Sequence, residues 1–216
     1  MQYVAFLLAF LSLYAIAASD YKTISEQALG RVELRFGAEG RVRVSDWTDL
    51  LNELANQLPP EDAKNIRAAN DYFNQVDWVW DIDHWGQEDY WATPIETLGS
   101  NGGDCEDFSI GKYFSLTSLG MDTSKLRITY VKALDYNLAH MVLAYYQTPS
   151  SEPLILDNIN KTILPASERS DLLPVYSFNG SGLWLAKSRS RSIKGDVSKS
   201  LPSWGGLKNK IDAELR

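Results

Sequence analysis

Cysteine occurs once in the 216 residues, at Cys105, and histidine only twice, at His84 and His140. A lone cysteine excludes an internal disulfide, so it is a buried filler, a link to another molecule or a working thiol. Basic charge is also short: 21 Lys and Arg stand against 28 Asp and Glu, for a net charge of −7. No nucleic-acid partner is expected, since such proteins need a basic footprint. Beyond residue 18 no apolar run is long enough to suggest a membrane span. No internal repeat divides the chain.

The one long apolar run is Val4 to Ala18, uncharged until Asp20, with Ala15-Ile16-Ala17 as a small-x-small site. Residues 1–18 are therefore expected to be a secretory signal peptide, leaving 19–216 as a single domain. No Lys or Arg precedes the run, so an uncleaved anchor is the alternative, disfavoured because a span needs about 20 residues. An apolar content of 44% and seven Trp suit a folded domain with a sizeable core. In an oxidising compartment an idle exposed thiol is a liability, which favours a working role for Cys105.

Two amphipathic helices are expected early. Ser45 is an N-cap for one from Asp46 to Leu58, with Trp47, Leu50, Leu51, Leu54 and Leu58 on its apolar face. Pro59 and Pro60 end it. Glu61 and Asp62 open the second, where the helix dipole favours acids, and Ile66, Ala69, Phe73 and Val76 form its apolar side. Residues 19–44 read as a short helix or strand and then a turn. Residues 77–94 hold four Trp and five acids. They form either a tight loop whose rings cap the core or one wall of a substrate groove with acids near an ion. His84 lies here, and a lone loop histidine ranks below His140 as a chemical group.

From Asp104 to Leu119 the pattern is helical, with Gly120 as the C′ residue. Strands are expected over 126–134, 140–147, 153–159, 173–178 and 183–186, as an antiparallel meander with a hairpin turn at Asn179-Gly180-Ser181-Gly182. The fold class is α+β. Residues 187–210, locally basic and rich in Ser and Gly, read as a solvated surface tail.

Chemistry concentrates in Asn101 to Phe108, NGGDCEDF. The glycines allow a tight turn and close backbone approach. Cys105 then falls on the first turn of a helix, where free N–H groups and the dipole favour a thiolate and can hold an oxyanion. The neighbouring acids oppose this, because adjacent negative charge raises a thiol pKa. Either they only cap the helix, or Asp104, Glu106 and Asp107 offer oxygens to a hard cation such as calcium, with another segment contributing. A thiol nucleophile needs a base and an orienting group. His140 at a strand start and Asp157 at the end of the next strand are the candidates. Antiparallel pairing brings their ends together imperfectly, so a one-residue slip or a bulge is expected. The Trp91 indole is the candidate second oxyanion donor.

With these local sequences, that order resembles the bacterial transglutaminase-like cysteine peptidases, and within them the LapG-type periplasmic proteases that clip surface adhesins in biofilm control. The resemblance rests on DYWATPIETL at 89–98, GGDCEDFSIGKYFSL at 102–116, AHMVLAY at 139–145 and LDNI at 156–159. It implies a papain/transglutaminase-like α+β core, with the nucleophile at a helix N-terminus packed on an antiparallel sheet that carries His and Asp. It implies Cys105 as nucleophile, His140 as general base and acid, Asp157 as orienter, and calcium beside the nucleophile at Asp104, Glu106 and Asp107. It further implies a periplasmic location, a repeat-rich adhesin as protein substrate, and the periplasmic domain of an inner-membrane c-di-GMP receptor as inhibitor. The Cys/His/Asp set is also compatible with acyl transfer to an amine, as in true transglutaminases, or with a calcium-dependent binding module that no longer turns over.

Overall fold

Helix α1 (Glu26–Ala55) starts at Ser25, whose hydroxyl accepts a hydrogen bond from the Ala28 N–H. It belongs to a computed structural model that describes residues 20–58, 61–185, 192–194 and 197–215. The expected signal peptide and Pro59-Pro60 lie outside those residues. Helix α1 bends at Gly37, where φ is 78°, a conformation that glycine adopts without penalty. The short element and turn expected over 19–44 give way to helix on both sides of that bend. The reason is tertiary: Leu29, Val32, Val44 and Trp47 all bury against the core, and packing overrides the glycine-rich local propensity. Leu58, expected on the apolar face, is exposed beyond the end of the helix.

Helix α2 (Asp62–Phe73) buries Ile66, Ala69 and Phe73, as its spacing predicts. Strand β1 (Asp77–Trp78) then pairs in parallel with β2 (Gly102–Gly103), and between them lie α3 (Asp81–His84) and α4 (Pro94–Ser100). Helix α4 carries a capping box: the Thr93 hydroxyl accepts from the Glu96 N–H, and the Glu96 carboxylate from the Thr93 N–H. Helix α5 (Cys105–Ser118) follows and is buried along almost its whole length. Its Gly111 is the contact point with α2, since a Cβ there would stand 2.0 Å from the Phe73 ring.

The sheet comprises β3 (Leu126–Ala133), β4 (Leu138–Tyr145), β5 (Leu154–Leu156), β6 (Leu164–Pro165), β7 (Leu172–Asn179), β8 (Gly182–Leu185) and β9 (Ser192–Lys194). The strands are antiparallel, in the order β6-β5-β4-β3-β7-β8-β9. This corrects the simple meander. After β6 the chain returns across the sheet, and β7 takes the free edge of β3, whose backbone groups need a partner. Strand β4 puts Met141, Leu143 and Tyr145 into the main core, while Val142 and Ala144 join a smaller cluster with Val131 and Ile155.

Helices α6 (Val197–Ser200) and α7 (Pro202–Glu214) correct the solvated tail over its described residues. Trp204 is 2% exposed and stacks on Phe114 at 5.8 Å, and Leu207 and Ile211 are buried on the same helix. Gly205, Gly206, Lys208, Asn209 and Lys210 between these positions masked the helical spacing. Trp204→Ala should cost about 3–5 kcal/mol, the usual range for a fully buried indole, measured by urea unfolding. A loss below about 1 kcal/mol would show that α7 is not part of the core.

Candidate active site and metal centre

Two glycines allow the turn that leads into Cys105. A Cβ at Gly102 would meet the His84 ring at 2.7 Å, and one at Gly103 would meet Asp107 Oδ2 at 2.7 Å. Asp107, wholly buried on the first turn of α5, accepts the Ala92 N–H through Oδ1 (2.7 Å) and the Asp104 N–H through Oδ2 (3.3 Å). The carboxylate therefore ties the helix start to the segment before α4.

Cys105 is partly exposed at the helix start. Its thiol donates to Glu106 Oε2 at 3.1 Å rather than to an imidazole. The backbone N–H of Met141, the residue after His140, points at the sulfur from β4. Burial, followed by the charges of Glu106 and Asp104, pushes the thiol well above its ordinary pKa, and that single N–H does not offset them. The thiol opens on a cavity of about 440 Å³ whose walls include Trp80, Asp89, Trp91, Tyr130, His140 and Tyr176.

His140 is 3% exposed, and its Nε2 lies 2.8 Å from Asp157 Oδ1. Neither a slip nor a bulge is needed. Leu143 pairs with Leu156. Continuing that register puts Asp157 opposite Val142, a diagonal neighbour of His140 within side-chain reach. Asp157 Oδ1 also accepts the Ile159 N–H (3.0 Å), and Oδ2 accepts from Arg169 Nη2 (2.7 Å). Burial alone would raise this carboxyl. The bonds from His140, Ile159 and Arg169, with the imidazole charge, outweigh it and hold Asp157 well below the usual carboxylate range. An ionised Asp157 accepts from Nε2, so the neutral ring carries its proton there and leaves Nδ1 as the basic nitrogen.

The acids of α5 do not stand alone. Asp81 of α3 and Asp89 of the following loop converge on them. One oxygen each of Asp81, Asp104 and Asp107 lies within 4.8 Å of the others, and the same holds for Asp81, Asp89 and Glu106. Asp81 Oδ1 and Asp104 Oδ1 are buried without a partner among the described residues. Burial first, then contact with Glu106, pushes Asp104 up to about 9. Burial pushes Glu106 up to about 7, with Asp107 adding repulsion. Orphaned buried oxygens in an all-oxygen donor set fit a hard cation such as calcium. The signal for Asp81 and Asp89 was the excess of acid over 77–94, but their sequence positions gave no geometry.

Two expectations from that segment fall differently. The Trp91 indole N–H is committed to Asp89 Oδ1 at 3.0 Å, and its ring stacks on Phe178 at 5.7 Å, so it does not serve as a free oxyanion donor. His84 Nε2 sits 2.8 Å from the Ser100 hydroxyl, beneath the β1–β2 pair rather than in the cavity wall. Arg169, which sequence reading did not single out, makes the second contact to Asp157.

Residues 48–184 match the family model of the bacterial transglutaminase-like cysteine proteinases. The chain belongs to that family, and its fold is the α+β, transglutaminase-like arrangement with Cys105 at a helix start. Among solved structures it is similar to EGTA-treated LapG of Legionella pneumophila, at 42% identity and a TM-score of 0.75, covering 86% of this chain and 96% of that one. Calcium-bound LapG of the same organism is 41% identical with a TM-score of 0.72, over 87% and 99%. No curated protein matches.

Proposed function

We propose that this protein is an exported, calcium-dependent cysteine endopeptidase that works in the periplasm. Its substrate in this reading is the N-terminal region of a large repeat-rich surface adhesin, whose cleavage controls attachment in biofilms. Residues 1–18 are a signal peptide, and 19–216 form the catalytic domain. The observation that carries the reading is one cavity walled by a thiol at a helix N-terminus and by the imidazole of a His140–Asp157 pair. His140 Nδ1 takes the thiol proton, and Cys105 attacks the peptide carbonyl. The imidazolium then gives that proton to the leaving amine, and water hydrolyses the acyl-enzyme. The Cys105 N–H at the start of α5 faces the developing oxyanion. Trp80, half-exposed and edge-on to Trp78 at 4.3 Å, lends the cavity an apolar wall for an extended peptide.

Asp81, Asp89, Asp104, Glu106 and Asp107 would hold calcium. When bound, the ion supplies positive charge that offsets their repulsion and favours the thiolate. A calcium-bound structure of the Legionella relative supports the choice of ion. The periplasmic domain of an inner-membrane c-di-GMP receptor is the proposed inhibitor.

The test is incubation with an adhesin N-terminal segment, calcium and a primary amine. Two fragments with a new free amino terminus are expected, and none when the receptor domain is added. Incorporation of the amine into intact substrate would move the reading to an acyl transferase. Intact substrate, together with failure of a thiol-reactive peptide electrophile to label Cys105, would sink the enzymatic reading.

A further inference from the structure

Asp157 is held at its backbone and, separately, at both carboxylate oxygens. Its backbone carbonyl accepts from Asn74 Nδ2 at 2.9 Å, and Asn74 is itself tied to the following loop by Lys161 Nζ, which donates to the Asn74 carbonyl at 2.7 Å. Its carboxylate is held by Arg169, on the turn before β7. Arg169 Nη2 donates to Asp157 Oδ2 at 2.7 Å. The same guanidinium is fixed from its other side by Asp171, through Nε to Oδ1 (2.9 Å) and Nη2 to Oδ2 (2.7 Å). Arg169 is 3% exposed, and a buried guanidinium with a planar fork has little freedom once two carboxylates grip it. The backbone of Asp157 is already placed by α2. Oδ1 also accepts the Ile159 N–H at 3.0 Å, so what Arg169 adds is the hold on Oδ2, which together with that bond fixes the rotation about χ2 that faces Oδ1 to Nε2 of His140.

We propose that Arg169 is a positioning residue for the hydrolysis. By occupying Asp157 Oδ2 it turns Oδ1 to His140 and so leaves Nδ1 toward the thiol. The inference rests on the proposed roles of Cys105, His140 and Asp157. Other charges near Asp157 do not substitute for it. Lys112, buried on α5, acts on Asp157 only through its field, and no hydrogen bond joins the two. Glu106 and Asp104 act on the thiol.

The experiment uses the full chain with calcium and three variants: Arg169→Gln, Arg169→Lys and Asp171→Asn. Each is assayed for kcat and KM on a cleavable peptide and for the low-field proton resonance of the His140 Nε2–H. Arg169→Gln should lower kcat on the order of ten- to a hundredfold, the usual loss when a partner that orients a functional side chain is removed, with KM little changed. Its low-field resonance should vanish or move. Arg169→Lys should recover much of both, because an ammonium still reaches Oδ2. Asp171→Asn, which frees one side of the guanidinium, should give a smaller loss in the same direction. Wild-type kcat with an unmoved resonance in Arg169→Gln overturns the proposal, and so does a fall in kcat with the resonance unmoved. If Arg169→Gln does not fold, Asp171→Asn decides by the same two readouts. His140→Ala separates the levels. If it cleaves normally the underlying reading fails. If it is inactive while Arg169→Gln is unaffected, only the positioning role fails.

Discussion

Cys105→Ala is expected to end cleavage and to leave the fold standing. Removing the nucleophile of a triad enzyme costs roughly a millionfold in kcat, because the remaining groups have no atom to which they can transfer the acyl group. Structurally the change is small. Cys105 sits at the rim of a cavity, its side chain is one atom longer than alanine's, and the contacts its sulfur loses are those with Glu106 Oε2 and the Met141 N–H. Thermal melting should move little, and because the carboxylates proposed to hold the ion are unchanged, calcium uptake should persist. His140→Ala should fall to a similar floor, and the double variant should fall no further, since residues that act as a unit are not additive. Cleavage that survives in Cys105→Ala, above that of a mock preparation, would rule out the thiol mechanism.

Chelation has the second-largest expected effect, and its sign depends on pH. Asp104 and Glu106 are pushed up to about 9 and about 7 in the folded protein. Unfolded carboxyls titrate near 4. Between these limits the folded state binds more protons than the unfolded one, so the stability of the chelated protein falls as pH rises from about 4 towards 9. Calcium takes the place of those protons, and its uptake should release them and tighten with rising pH. A hundredfold excess over the dissociation constant adds about 2.7 kcal/mol. EGTA should therefore stop cleavage and lower the melting temperature more at pH 8 than at pH 5. Asp81→Asn should blunt the response without touching α5. The Glu106 carboxylate is both the thiol's acceptor and a candidate ligand, so calcium should also speed iodoacetamide alkylation of Cys105 at fixed pH. Melting curves indifferent to EGTA at both pH values, with no metal by elemental analysis, would refute the site.

Much of the chemistry could be read from residues close together in the chain. Gly102-Gly103 before Cys105, acids on one helical turn, and the apolar spacing of α2 and α5 are local patterns. Capping, dipoles and periodicity act within a few residues, and each left its mark in order. The lone cysteine and the acidic balance excluded whole classes of function without any geometry. Glycine misled over 19–44, since a break in local propensity at Gly37 bends α1 but does not end it. Composition misled over α7, where Trp204, Leu207 and Ile211 carry a buried face through polar surroundings.

What the tertiary structure alone decided is which distant residues meet. The diagonal contact of His140 with Asp157 depends on the register of β4 against β5. The grip of Arg169 on Asp157 depends on the turn that precedes the return of β7 across the sheet. The arrival of Asp81 and Asp89 beside Glu106 depends on the parallel β1–β2 pair that closes the 77–102 segment. Those contacts are set by strand order and packing over tens of residues, which no local pattern encodes. The chain's own order thus put forward the thiol, its acids and its histidine as candidates, whereas the fold chose the orientation of the imidazole and brought the further carboxylates beside them.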